Sequence, residues 1–217
     1  MDNTKFITTL ITSILLLVAM FSYVSDSISG TEEIPDDKEM EQVLLKISTA
    51  AKQIEEFESK HPNGIPPLAQ VCASLSSKDM NDITLYYLNC ILVKYVKQLS
   101  GIASNKKEKA DEVIKAYREV FGIAKKIENE CKKVGDPFKD FCTSLFEVVA
   151  IESAGMAIKA ANFCAKVRRL DDARQIYREV IITYTGFIYK SFVKQAEFGL
   201  EDLKELEQQH NKKAPKK

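Results

Sequence analysis

The sequence has no tryptophan, only two histidines, and few residues of the kind that interrupt helices: eight glycines and six prolines in 217 residues. Most of the glycines and prolines fall between apolar-periodic segments, and few strand-like alternations occur, which points away from β architectures. Net charge is also absent. Lys plus Arg and Asp plus Glu stand at 31 each, so no overall field recruits nucleic acid or an anionic surface. The recurrent chemical motifs are missing as well. The chain has no H-E-x-x-H, no P-loop, no G-x-G-x-x-G after a strand, no G-x-S-x-G and no C-x-x-C-H. His61 and His210 lie away from any Cys or carboxylate cluster at metal-ligand spacing, so no metal or cofactor is expected. A catalytic cysteine needs a histidine beside it, and neither histidine lies on a packed face; no catalytic residue is expected and an enzyme is disfavoured.

What is present is helix-forming. Ala, Glu, Lys, Leu and Ile dominate, and they populate helices at low cost, so the expected fold is all-α, built from antiparallel helical hairpins as a solenoid or an irregular bundle. From Phe6 to Val24 the chain is uncharged and apolar, preceded by Lys5, and close to the roughly 20 residues that span a bilayer. Residues 1–27 therefore read as a signal peptide or an uncleaved membrane anchor, with a core helix as a third reading. The following flank carries Asp26, Glu32, Glu33, Asp36 and Asp37, so the positive-inside rule keeps the amino terminus cytoplasmic and exports the body. No Cys directly follows the run, which argues against a lipoprotein anchor. Residues 28–37 read as a flexible linker, 38–207 as the all-α domain, and 208–217 as a disordered basic tail.

Within the domain, Met40, Val43, Leu44, Ile47, Ala50, Ala51, Ile54 and Phe57 form one helical stripe. His61 to Pro67 ends it. A short helix is expected over 68–75, then capping side chains at Ser76–Asp79 and a long, apolar helix over 80–103. Tyr86, Tyr87 and Tyr95 on it read as core residues or, alternatively, as a groove lining. A stripe from Val113 to Cys131 follows, then a turn at Gly135-Asp136-Pro137 with Pro137 at a helix start, and a helix over 138–167. Cys131 and Cys142 fall at similar heights on these two helices and are candidates for a disulfide; Cys72 with Cys90 is a weaker pairing, and Cys164 is left over. The competing reading makes all five cysteines small buried hydrophobes.

The stretch Ala157 to Leu206 gives helix, turn at Arg169–Asp171, helix, turn at Thr185–Gly186, helix. Ala161, Ala173 twelve residues on, Tyr177 four further, then Val180 and Ile181, with Leu170 in the turn, resemble the small and large positions of the tetratricopeptide repeat, a helix–turn–helix unit of about 34 residues. Cys164, Arg168 and Thr185 depart from that pattern, standing where an aromatic, a glycine and a proline are usual. The echo Ala173-x3-Tyr177 and Ala196-x3-Leu200-x2-Leu203 is similar to terminal repeats of periplasmic tetratricopeptide-like assembly proteins. The resemblance implies a scaffold that presents a helix-lined groove to a protein partner. Tyr177, Tyr184, Tyr189 and Lys190 are the candidate partner-binding residues. Two other functions stay open: an inhibitor or immunity-type protein that neutralises an exported toxin or enzyme, and an envelope small-ligand binder or enzyme with a scattered site.

Overall fold

The computed structural model describes residues 37–213 apart from residue 75, with side chains from 44 to 208 except at 75 and 77. The expected leader, nearly all of the linker and the last four residues lie outside the described residues. Among the described residues there are seven α-helices and no strand, so the chain is all-α. They are α1 (Asp37–Lys60), α2 (Leu68–Ala73), α3 (Ser77–Ala103), α4 (Ala110–Cys131), α5 (Lys139–Lys166), α6 (Leu170–Thr183) and α7 (Lys190–Lys213). Two 3-10 turns, Lys107–Lys109 and Phe187–Tyr189, lead into α4 and α7.

Several element boundaries differ from the sequence expectation for local reasons. Helix α3 begins at Ser77, before Met80, because the Ser76 hydroxyl accepts the Asp79 N–H at 3.2 Å and satisfies a first-turn donor. Pro137 is not at a helix start: it follows a cis Asp136–Pro137 bond in the turn, and α5 starts at Lys139. Helix α5 runs uninterrupted through Gly155, in keeping with the single helix expected there. Helix α7 continues to Lys213, past the expected boundary at 207.

The chain divides into two compact units whose boundaries fall inside α3, α4 and α5. The first holds the described residues up to Val96 and Gly122–Val149. Its core is built on the buried face of α3, from Met80, Ile83, Tyr87, Leu88, Ile91 and Tyr95, spaced three and four apart. Tyr87 and Tyr95 are thus core residues, and Tyr86 sits at the rim with its hydroxyl donating to Glu58 at 3.1 Å. Helix α1 is only half covered. Ala50 is buried, but Leu44 and Leu45 near its start are exposed. Helix α2 is too short to hold itself, and Glu130 of α4 accepts the Leu68 N–H at 2.8 Å, supplying the acceptor its amino end lacks. Cys131 and Cys142 are joined by a disulfide across the α4–α5 turn, with Cα atoms 5.4 Å apart, while Cys72, Cys90 and Cys164 are free.

The second unit comprises Lys97–Phe121 and the chain from Ala150 onward. Its centre is the second half of α5, where Ala154, Met156, Ala157, Ala160, Ala161 and Cys164 are all fully buried. Among the described residues α5 is the one helix long and apolar enough to cross a membrane, and half of its apolar window is buried inside the protein, as in a core helix. Gln98 of α3 is buried and its amide donates to the Met156 carbonyl at 2.8 Å, tying α3 to α5. Gly101 lets α3 approach α4: a Cβ there would meet the Val113 side chain at 2.7 Å. Helix α6 packs against α7.

The turn between α5 and α6 has one costly residue. Arg168 adopts φ +63°, the left-handed conformation that closes many helices and that glycine enters most cheaply. The Arg169 N–H then returns to the Cys164 carbonyl at 2.8 Å. Because an L side chain is disfavoured there, Arg168→Gly is expected to raise stability by about 0.5–1 kcal/mol, read as a higher denaturation midpoint. An unchanged or lower midpoint would show that the arginine side chain compensates for its backbone.

Candidate functional site

The four residues expected to face a partner have different surroundings. Tyr177, Tyr184 and Tyr189 are only 2%, 4% and 7% exposed, while Lys190 at the start of α7 is exposed. The tyrosines therefore pack mainly between the last helices, and of the three only Tyr177 also lines a cleft. Tyr177 projects from α6 against α7, where Gly199 leaves room for its ring, and its hydroxyl donates to Asn162 Oδ1 of α5 at 2.5 Å. Tyr184 shares a 2.7 Å hydrogen bond with Ser153 Oγ of α5 and lies with its ring centroid 5.4 Å from Tyr189 and 6.5 Å from Phe121. Burial is the main cause that pushes both Tyr177 and Tyr184 up to about 12, so both hydroxyls keep their protons at neutral pH.

Tyr177 forms part of a cleft of about 420 Å³ lined also by Asn162 and Lys166 of α5, by Arg168 of the following turn and by Asp202, Leu203 and Leu206 of α7. Lys166 and Arg168 are exposed on one wall, and Asp202 is close enough to help raise the Tyr177 hydroxyl. The cleft thus offers cations, an anion, an amide and an apolar floor within one concavity. Nothing in the sequence singles out Lys166 or Asp202, and Arg168 is marked there only as the residue standing where the repeat pattern has glycine.

Ion pairs fasten the helices of the second unit to one another. Arg169 reaches Asp111 of α4 and Asp172 of α6, each at 2.5 Å. Arg174 bridges Asp171, at 2.7 Å, and Glu207 of α7. Glu179 of α6 accepts from the Tyr117 hydroxyl at 3.2 Å and from Arg118 at 3.1 Å, both on α4.

Comparisons with protein-family models, with curated proteins and with solved structures give no match.

The first unit has a second cleft, of about 490 Å³, beneath the loop after α1. His61 packs on Phe57 with ring centroids 4.5 Å apart, Phe57 stacks on Tyr86 at 4.7 Å, and Asp79 and Asp82 face the same space. Among the described residues no group of three His, Cys, Asp or Glu side chains is placed to hold a metal ion.

One acid sits in unusual surroundings. Glu152 lies on the apolar helix α5, and burial lifts its carboxyl to about 7, a rise that Lys159 only partly offsets. The folded chain therefore holds this proton more tightly than the unfolded one. Its contribution to stability is present below the ordinary carboxylate range and is lost as pH rises through about 7. Glu152→Gln should remove that loss, so between about pH 5 and about pH 8 the variant's denaturation midpoint falls less than that of the parent chain. Parallel curves would mean that the Glu152 carboxyl titrates as an exposed acid.

Proposed function

We propose that this chain is an exported, non-catalytic helical scaffold that binds a protein partner, and that the end of α5 with α6 and α7 is a tetratricopeptide-like unit. The observation that carries the reading is the interior of that unit. Ala161, Ala173 and Ala196, the small residues of the resemblance, are each 0% exposed, and Tyr177 is wedged against α7. Small residues at those positions let helices approach, and the large ring fills the space between the pair and the next helix. Arg168 takes the left-handed conformation that the usual turn glycine would take, which supports the same turn geometry despite the substitution.

Export is supported by the Cys131–Cys142 bond, because disulfides persist in oxidising compartments, and by the uncharged run from Phe6 to Val24. The binding surface centres on the cleft that Tyr177 lines, away from the buried Tyr184 and Tyr189. Lys166, Arg168, Asn162 and Asp202 there can satisfy the backbone and charged groups of a polypeptide segment, while the half-buried Leu206 and the edge of the Tyr177 ring accept its apolar side chains.

Affinity purification of the full chain from its native envelope tests the reading. A Lys166→Glu/Arg168→Glu double variant should lose a partner polypeptide that a Lys52→Glu variant retains. Retention of the same polypeptides by both variants contradicts the assignment of the cleft.

A further inference from the structure

The connection between α6 and α7 carries an apolar tip that nothing in the scaffold reading uses. Phe187 is 88% exposed, Ile182 is 76% exposed and Ile188 is 46% exposed, on a stretch of seven residues. Scattered exposed apolar residues are ordinary, but three on one corner are a concentrated patch. Beneath them Tyr184 and Tyr189 are buried with rings 5.4 Å apart, so the tip stands on a packed base. Gly186 at φ +127° makes the bend that projects it.

Within the connection itself, charge has one sign. From Val180 to Ala196 the sequence has no acidic residue, and the charges there are Lys190 and Lys194. Arg178 lies one helical turn before Ile182, and side chains four apart on a helix share a face. Residues three apart in a 3-10 turn eclipse each other, which aligns Phe187 with Lys190, and Lys194 lies one turn further along α7. Arg178, Lys190 and Lys194 are exposed, and none has an ion-pair partner among the described residues. The neighbouring acid, Glu179, is instead occupied by Tyr117, Arg118 and Gln175. The neutral total of the chain thus conceals a local cationic, apolar corner.

We propose that this tip is a membrane-docking element: Ile182, Phe187 and Ile188 enter the interface of a bilayer containing anionic lipid, and Arg178, Lys190 and Lys194 rest on its headgroups. An aromatic with branched aliphatics suits the boundary between headgroups and acyl chains, and long basic side chains extend from there to the phosphates. The chain's uncharged run from Phe6 to Val24 is expected to lodge in a membrane or pass through it, so a bilayer is a surface this body meets. An acidic protein partner would satisfy the cations. Phe187, standing almost free of its own fold, is better matched by a fluid surface that takes up a protruding ring without a preformed pocket.

The absence of tryptophan makes the test direct, because Phe187→Trp creates a single reporter at an exposed position. The full-length variant is reconstituted in vesicles of phosphatidylcholine with or without brominated phosphatidylglycerol. A Leu85→Trp chain, exposed in the first unit, reports whatever quenching the leader alone causes. The tip is expected to show blue-shifted emission and strong quenching in the anionic vesicles, with little at Leu85→Trp. Adding Lys190→Ala and Lys194→Ala should weaken the tip's partition roughly fivefold per cation removed. Equal quenching at both reporters, or a tip indole that stays open to iodide in every vesicle, overturns the proposal. So does a tip indole shielded by soluble polyglutamate and untouched by brominated lipid, which would assign the corner to an acidic protein.

Discussion

Opening the Cys131–Cys142 bond is expected to lower the stability of the folded chain by roughly 3 kcal/mol, the loop-closure contribution of a cross-link spanning a short turn. The bond joins the last residue of α4 to the start of α5 across a sequence separation of 11. Without it the unfolded chain regains the freedom of that loop, and the folded chain loses the clamp that holds the two helices at the turn. For a helical body of this size the loss corresponds to a fall in melting temperature of roughly 10 °C. The measurement compares oxidised, reduced and Cys131→Ser/Cys142→Ser chains by calorimetry, and a thiol count fixes the chemistry. Unfolded without reductant, the chain should expose three thiols, those of Cys72, Cys90 and Cys164. Five thiols in protein taken from its native compartment would remove both the bond and the argument for export that leans on it.

The second large effect is expected at Gly199. A Cβ there would lie 2.6 Å from both Cε1 and Cε2 of Tyr177. The ring has nowhere to go: Tyr177 is buried, and its hydroxyl is held by Asn162. Two contributions oppose each other in Gly199→Ala. Alanine favours the helix by about 1 kcal/mol over glycine, and the overlap with a fixed aromatic costs about 1–3 kcal/mol. A contact this close puts the overlap at the upper end, so the variant is destabilised, and Gly199→Val, with more atoms in the same space, is destabilised further. The sign reverses when the ring is removed. In a Tyr177→Leu background, Gly199→Ala should be neutral or stabilising, because the helix preference then acts alone. If Gly199→Ala instead costs the same with and without the Tyr177 ring, α6 and α7 do not meet as described.

Much of this body is written in its periodicity. A stripe at three- and four-residue spacing marks α4, whose buried face falls on Val113, Tyr117 and Val120 as the pattern requires, whereas α3 reads as apolar nearly all round and its exposed side, at Leu85, is not legible. The Cys131–Cys142 pairing was also legible, since two helices flanking one turn bring residues at equal height together. Pro137 was not, because a proline two residues before a helix and one at its first position look the same in sequence.

The candidate site was the least legible part. Tyr177, Tyr184 and Tyr189 read as a lining because tyrosine is amphipathic, and a sequence does not say which end of the ring meets water. Their hydroxyls were decided by distant residues: Asn162 for Tyr177 and Ser153 for Tyr184. The cleft residues Lys166, Arg168 and Asp202 come from the end of one helix and the middle of another, and ordinary surface charges hide them until the helices are packed. Glu152 was equally silent, because its raised carboxyl depends on how much of α5 is covered.

The scaffold reading is tested most directly by site-specific photo-crosslinking in the native cell. A photoreactive residue is placed at Lys166 or Leu206 in the cleft, and at Lys52 on exposed α1 as a reference. The account predicts a discrete adduct with one polypeptide from both cleft positions and none from Lys52. An absence of protein adducts at the cleft, or the same adducts from all three positions, would contradict it.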